Sequence, residues 1–270
     1  MIGRVLVTVA LLACSTPAFA QDGGGEEPRF CPNRPSLGAS GCTTLPGQVH
    51  VEFSGVDWQR DNNSDTREDT LLFGDVFARI GITPHAELQI GWTPLGSVRT
   101  LDKATGRVSR QSGTGDVRLG FRRSLSHPDG EGLSTALEPF VTLPVGSKAL
   151  SDGDWSAGLG VPVYWQMNEK WSLSFTGEAA AAVDEDGTGR HFDTTGVFGV
   201  GYSLTDAISA TVEFSVERDN DPAGHVTRTL AAGSIGWQPT DRTQIDLLFV
   251  HGLNRDAPDT QLVVGGAVLF

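Results

Sequence analysis

The 270-residue sequence predicts an all-β protein, a transmembrane antiparallel up-and-down β-barrel of about 12 strands with a short irregular N-terminal arm. Three observations carry that prediction. From Gln48 onward, stretches of strict apolar/polar alternation recur between Gly-, Pro-, Asn- and Asp-rich breaks, the period-2 signature of half-buried strands. The connections between them alternate short and long, as in outer-membrane barrels with tight periplasmic turns and longer outer loops. Aromatic rings gather near both ends of the apolar face, where the two interfaces of a bilayer hold amphipathic rings.

Composition bounds the alternatives. The formal charge is −13, from 33 acidic and 20 basic residues, and no Lys/Arg block is present, which argues against a nucleic-acid partner. Thirty-four glycines, two methionines and three lysines (Lys103, Lys148, Lys170) do not suit a helical protein. The mean hydropathy of −0.14 reads as a soluble acidic chain, yet polar lumen-facing residues hide a barrel's apolar ones from such an average. Beyond the first twenty residues no run of eighteen apolar residues occurs. That excludes a spanning helix and leaves a barrel as the way to cross a membrane.

Taken in order, residues 1–20 form a targeting segment. Arg4 supplies a short positive start, Val5 to Ala13 an apolar run, and Ala18-Phe19-Ala20 a small-x-small site before Gln21, the plan of a cleaved secretory signal peptide. Leu12-Ala13-Cys14 offers a competing plan, a lipoprotein box with Cys14 acylated, but the apolar run would then end early and the Ala-Phe-Ala site would serve nothing. Cleavage removes Arg4, leaving 19 basic against 33 acidic residues, a mature charge of −14. Residues 21–46, rich in Gly, Pro and Ser, read as an arm lying in the periplasm or the lumen. Its Cys31 and Cys42 are expected to form a disulfide, the default in an exported chain. No further soft ligand stands nearby to make a metal site of them.

Residues 47–270 supply the barrel. Its apolar sets are Val49/Val51/Phe53, Val76/Ala78/Ile80, Leu88/Ile90/Trp92, Val117/Leu119/Phe121, Leu133 to Leu143 on odd positions, and Ala157 to Trp165 on odd positions. They continue with Trp171/Leu173/Phe175, Phe198/Val200/Tyr202, Ile208 to Val216 on even positions, Ala231 to Trp237 on odd positions, Ile245/Leu247/Phe249, and Leu262 to Phe270 on even positions. Turns such as 83–85, 167–170, 204–206 and 238–242 are tight. Long outer loops are expected at 59–68, 95–113, 145–154, 184–191, 218–226 and 252–259. Both termini then lie at the periplasmic end, which predicts outer-membrane lipid and the barrel assembly machinery as partners.

The terminal Phe270 on an alternating strand is similar to the C-terminal assembly signal of bacterial outer-membrane proteins. Arg34-Pro-Ser-Leu-Gly, Gly47-Gln-Val-His-Val-Glu52, Gly113-Thr-Gly-Asp-Val-Arg-Leu-Gly-Phe-Arg122, Leu137-Glu-Pro-Phe-Val-Thr-Leu-Pro-Val-Gly146 and the Trp165 to Glu178 hairpin go further. In that order, from about Arg34 to the end, they resemble the outer-membrane transporters grouped as the phenol-degradation meta-pathway family. The resemblance implies a barrel in the bacterial outer membrane that passes small, aromatic or hydrophobic, compounds.

With apolar residues toward lipid, the alternate set faces inward. It comprises Glu52, Asp75, Glu87, Asp116, Glu138, Glu178, Asp193, Glu213 and Asp246 against Arg79, Arg118, Arg122 and Arg228. Buried carboxylates must be hydrated or paired, so two readings stand: a water-filled, cation-favouring pore, or an Arg–Glu network that fills a closed structural or surface-binding barrel. Twelve strands fall between filled and open barrels. Phe77, Phe140 and Tyr164 also point inward, as solute contacts or as packing against the arm. No Gly-x-Ser-x-Gly elbow or His-Glu-x-x-His pair is present, so no enzyme activity, cofactor or metal is expected. The oxygen-rich Asp61-Asn-Asn-Ser-Asp65 and Asp184-Glu-Asp-Gly187 lack a calcium loop's spacing and read as solvated loops.

Overall fold

A computed structural model describes residues 28–270; the signal peptide, Cys14 and residues 21–27 of the arm lie outside the described residues. The strands are β1 (Val49–Asn62), β2 (Thr66–Phe73), β3 (Asp75–Thr83), β4 (Ala86–Trp92), β5 (Leu95–Asp102), β6 (Val108–Gly113), β7 (Val117–Ser126) and β8 (Leu133–Leu143). They continue with β9 (Ser156–Gln166), β10 (Trp171–Val183), β11 (Arg190–Ser203), β12 (Ile208–Asp219), β13 (Val226–Thr240), β14 (Thr243–Gly252) and β15 (Thr260–Leu269). All pairings are antiparallel, and β15 pairs with β1 to close the sheet.

Register reduces these fifteen segments to twelve barrel strands. Ser54 faces Asp75 of β3 and Asp57 faces Leu72 of β2, so β2 and β3 are one line broken at Gly74. Val76 faces Trp92 and Leu72 faces Gly96, which joins β4 to β5 in the same way. Trp92 faces Val117 and Gly96 faces Gly113, which joins β6 to β7. The interruptions have local causes. Gly74 takes a left-handed φ of 66°, open to glycine without a Cβ penalty, and Pro94 has no N–H to donate to a ladder.

This corrects the expected outer loops at 59–68 and 95–113. Most of both segments is strand: β1, β2, β5 and β6 form a four-strand extension that carries the sheet past the rim, with only 63–65 and 103–107 left as its turns. Alternation was hard to see there because both faces of the extension are polar enough to resemble loop. The other long connections, 144–155, 184–189, 220–225 and 253–259, lie at the same end.

The barrel is inverted relative to a soluble core. Val212, Phe198 and Leu133 expose half or more of their surface on the outside, whereas Arg79, Arg122, Glu87 and His50 have none exposed. That is the arrangement expected of a lipid-facing wall around a polar interior. The interior also holds an apolar patch the alternation did not predict. Ala232, Leu248, Val250 and Val263 are buried together on the lumen face, and Leu37 of the arm packs against them.

Candidate functional site

Residues 28–47 do not hang below the barrel; they occupy its lumen at the end where the tight turns lie. The arm has no regular secondary structure, so its backbone N–H and C=O groups must find partners elsewhere. The wall supplies them. Arg79 on β3 donates to the carbonyls of Cys31 and Cys42, each at 2.7 Å. Arg122 on β7 donates to Ser40 O at 2.7 Å and also to Cys42 O. Glu87 on β4 accepts the Thr44 N–H at 2.7 Å, and Glu52 on β1 accepts those of Asn33 and Arg34 at 3.1 and 3.0 Å. Glu213 on β12 accepts the Ser36 hydroxyl at 2.5 Å and the Leu37 N–H at 2.9 Å.

The same charges are paired with one another. Arg79 meets Glu87 at 2.7 Å and Glu52 at 3.5 Å, and Arg122 meets Glu138 at 2.5 Å. An isolated buried ion would be strongly unfavourable, and this network gives Arg79, Arg122, Glu52, Glu87 and Glu138 both a counter-charge and hydrogen bonds, while Glu213 is held by hydrogen bonds from the arm alone. On the far side Arg34 of the arm reaches Asp246 on β14 at 2.7 Å and donates to the Ser54 hydroxyl at 2.9 Å. The Cys31–Cys42 disulfide, with Cα atoms 6.2 Å apart, closes the part of the arm that Arg79 and Arg122 grip. Two glycines let the arm lie this close. A Cβ on Gly81 would collide with the carbonyls of Leu45 and Thr44, and one on Gly41 would sit 2.8 Å from Tyr164.

Six of the thirteen sequence-predicted charges on the inner wall therefore bind the arm directly or through Arg34: Glu52, Arg79, Glu87, Arg122, Glu213 and Asp246. Glu138 joins them by its bond to Arg122. The remaining six stand further toward the long-loop end. Arg118 meets Glu178 at 2.8 Å and lies 3.4 Å over the Phe140 ring. Asp75 accepts the Thr93 hydroxyl at 2.6 Å, and Asp116 accepts the Gly146 N–H at 2.8 Å. Arg228 pairs with Glu217 and Asp219, beside Asp193. Phe77 lies against Gly91. Tyr164 donates to Gln166 at 2.6 Å and flanks the arm at Gly41. At the other end Phe270 exchanges backbone hydrogen bonds with Val49, and its ring is exposed on the outside.

Sequence reasoning missed several members. Arg34 carried only a motif resemblance, and its partners lie far off in sequence. Glu217 and Asp219 continue the inward phase of Glu213 on β12 and were legible from that alternation. His191 was expected in or beside a loop; it is the second residue of β11, its side chain is 7% exposed, and it lies 3.0 Å from both Asp184 and Asp219. Asp221, in the turn after β12, accepts N–H bonds from Ala223 and Glu185, which hold its carboxyl below the usual carboxylate range.

Between the arm and the wall of β9 to β14 runs a cavity of about 300 Å³. Its strand side is lined by Tyr164, Gln166, Ser172, Ser174, Thr211 and Gln244, and Asp129 of the turn after β7 also borders it. Arg34 of the arm borders it too, but most of the lining is hydroxyls, amides and the tyrosines Tyr164 and Tyr202.

Solved structures share this architecture. The COG4313 outer membrane channel from Pseudomonas putida F1 superposes with a TM-score of 0.70 at 15% identity, covering 87% of this chain and 99% of that one. The NanC porin gives 0.54 at 9% identity, covering 82% and 98%. The transport unit of the autotransporter AIDA-I from Escherichia coli gives 0.50 at 10% identity, covering 82% and 89%. At these identities the likeness establishes the fold, a membrane β-barrel of the outer-membrane type. No curated protein matches the chain in sequence. The profile of the family described as "Putative MetA-pathway of phenol degradation" matches residues 32–270, from within the lumenal arm to the last residue, and the chain belongs to that family.

Proposed function

We propose that this barrel is a passive conduit for small uncharged solutes of aromatic size, which move along the seam between the lumenal arm and the wall of β9 to β14. The observation that carries this reading is the division of labour inside the lumen. Most charged side chains around the arm pin it, while the cavity beside it is lined mainly by hydroxyl and amide groups and Tyr164, with Asp129 and Arg34 at its border. A seam so lined offers no row of free carboxylates to replace the hydration shell of a cation. Polar hydrogen-bonding groups and a ring suit a compact neutral molecule. Membership of a family described as a pathway of phenol degradation, and the likeness to an outer membrane channel of Pseudomonas putida, support such a role.

The test is permeation into liposomes of phenol against a charged solute of similar size, with wild type and with Ser174→Trp and Thr211→Trp. Entry of phenol that either tryptophan blocks supports the seam as the path. Entry that both variants leave unchanged sinks it. Exclusion of both solutes by folded wild type would favour the closed structural barrel, a reading to which the full burial of Arg79 and Arg122 lends weight.

A further inference from the structure

The extension formed by β1, β2, β5 and β6 has a charge distribution unlike the rest of this acidic chain. Arg60 faces Asp69, Asp69 faces Arg99, and Arg99 faces Arg110, so the register draws one line across four strands. Arg67 lies two residues from Asp69 on the same face, with its guanidinium 3.5 Å from that carboxylate. Arg60 and Arg99 contact the same carboxylate at 2.7 and 3.5 Å. Three arginines thus share one acid, and Arg110 extends the row beyond them. The other acids of β2 and of the upper part of β1, namely Asp57, Asp61 and Glu68, fall on the opposite face by alternation. Asp57 points inward, where Gln261 donates to it at 2.9 Å.

The arginine face is the outer one, because Val56, Phe73 and Leu95 share its phase and are exposed. Its height follows from strand geometry. A strand tilted about 40° rises ~2.5 Å per residue along the barrel axis. The climb through the outward Val49, Val51, Phe53, Val56 and Trp58 therefore spans ~23 Å, close to the ~25 Å apolar band of such barrels. Arg60 is the next outward side chain, its guanidinium 4.9 Å above the Trp58 ring. Arg110 stands directly opposite Arg99, a like-charge pairing that is unfavourable unless an anion bridges it. Among the described residues Arg110 has no carboxylate partner.

We propose that this row, Arg60, Arg67, Arg99 and Arg110, docks the phosphate groups of a phosphorylated glycolipid of the outer leaflet. A guanidinium fork binds phosphate in a bidentate manner. The exposed Phe73 and Leu95 beneath the row offer contact to that lipid's acyl chains. A lipid is favoured over a free anion because apolar and cationic surface are continuous on one outward face at headgroup height. The inference needs the outer-membrane barrel but does not depend on what crosses the lumen.

The experiment is native mass spectrometry of the purified full-length protein, titrated with bisphosphorylated lipid A, its monophosphoryl analogue, and phosphatidylcholine. The expected order is bisphosphoryl, then monophosphoryl, then phosphatidylcholine. Arg99→Gln with Arg110→Gln should weaken the first by at least about tenfold, the factor that about 1.4 kcal/mol is worth. Heat-modifiable migration on a gel checks folding. Arg110→Gln alone, on the edge strand, provides a second variant and should lose several-fold. Equal affinity for the three lipids, or no change in either variant, overturns the proposal. Displacement of lipid A by millimolar inorganic phosphate overturns the lipid assignment and makes the row a site for a soluble anion.

Discussion

Glu52→Gln isolates one latch between wall and arm without changing shape. Both carboxylate oxygens of Glu52 are in use, accepting the N–H groups of Asn33 and Arg34 at 3.1 and 3.0 Å, with Arg79 at 3.5 Å as counter-ion. A carboxamide can accept only one of these N–H bonds and presents its own NH2 to the other donor. The loss is one charge-assisted hydrogen bond, about 1.5–3 kcal/mol, plus weakened pairing with Arg79. Taking about 2 kcal/mol, the ratio of displaced to seated arm rises roughly 30-fold. Single-channel current across a planar bilayer reads this as open probability, with a protein lacking residues 28–46 marking the fully open level. The expected record is brief openings of the truncated amplitude, many times more frequent than in wild type. Unchanged open probability alongside a conducting truncation would refute Glu52 as a latch. A truncation that conducts no better than wild type would refute obstruction by the arm.

Other perturbations separate barrel from arm. Arg122→Met leaves Glu138 without its 2.5 Å partner and strips the carbonyls of Ser40 and Cys42 of a donor. Removing one partner of a buried pair costs about 3–5 kcal/mol, so the temperature at which the protein loses its folded gel mobility should fall; no fall would contradict the network. Replacing Cys31 and Cys42 by serine should leave that temperature unchanged while hydrogen exchange within 28–46 accelerates, because the crosslink constrains only the arm, by roughly 2–3 kcal/mol in the chain-entropy model. Gly81→Ala should unseat the arm near Leu45 and raise conductance. The Asp221 carboxyl, held below its usual 3.8 by the N–H groups of Ala223 and Glu185, stabilises the turn after β12 at all pH values above its unfolded pKa. That contribution is lost as pH falls through the depressed folded value, so amide shifts of Ala223 should hold steady down to about pH 4 and move only below it.

The parts of the fold legible in the sequence were those where one face meets lipid. From β7 to β15 the outward apolar set is continuous, so the period of two fixed strand number, phase and inward charges together. The alternation lost contrast above the membrane, where neither face of β2, β5 and β6 must be apolar, and strands there passed for loops. Inside the lumen, pattern identified Arg79, Glu87, Arg122 and Glu138 as wall residues but not their targets. Those targets are main-chain groups of Cys31, Ser40, Cys42 and Thr44, which carry no side-chain signature. The buried Leu248, Val250 and Val263 were likewise invisible, because an apolar residue on the inward phase of a strand reads as noise until Leu37 is seen against it.

By itself the sequence determined the antiparallel barrel, its twelve-strand count, which face of each strand is turned outward and the list of charges facing inward. All of these follow from local periodicity and turn length, which short-range sterics and the bilayer's refusal of unpaired backbone enforce strand by strand. Only the tertiary structure decided that the arm fills the lumen, which charges pin it, and that four arginines converge on one outward face above the apolar belt. Those outcomes depend on closing the sheet. Closure brings β1 to β15 and sets Arg34 against Asp246, residues whose encounter no local pattern encodes.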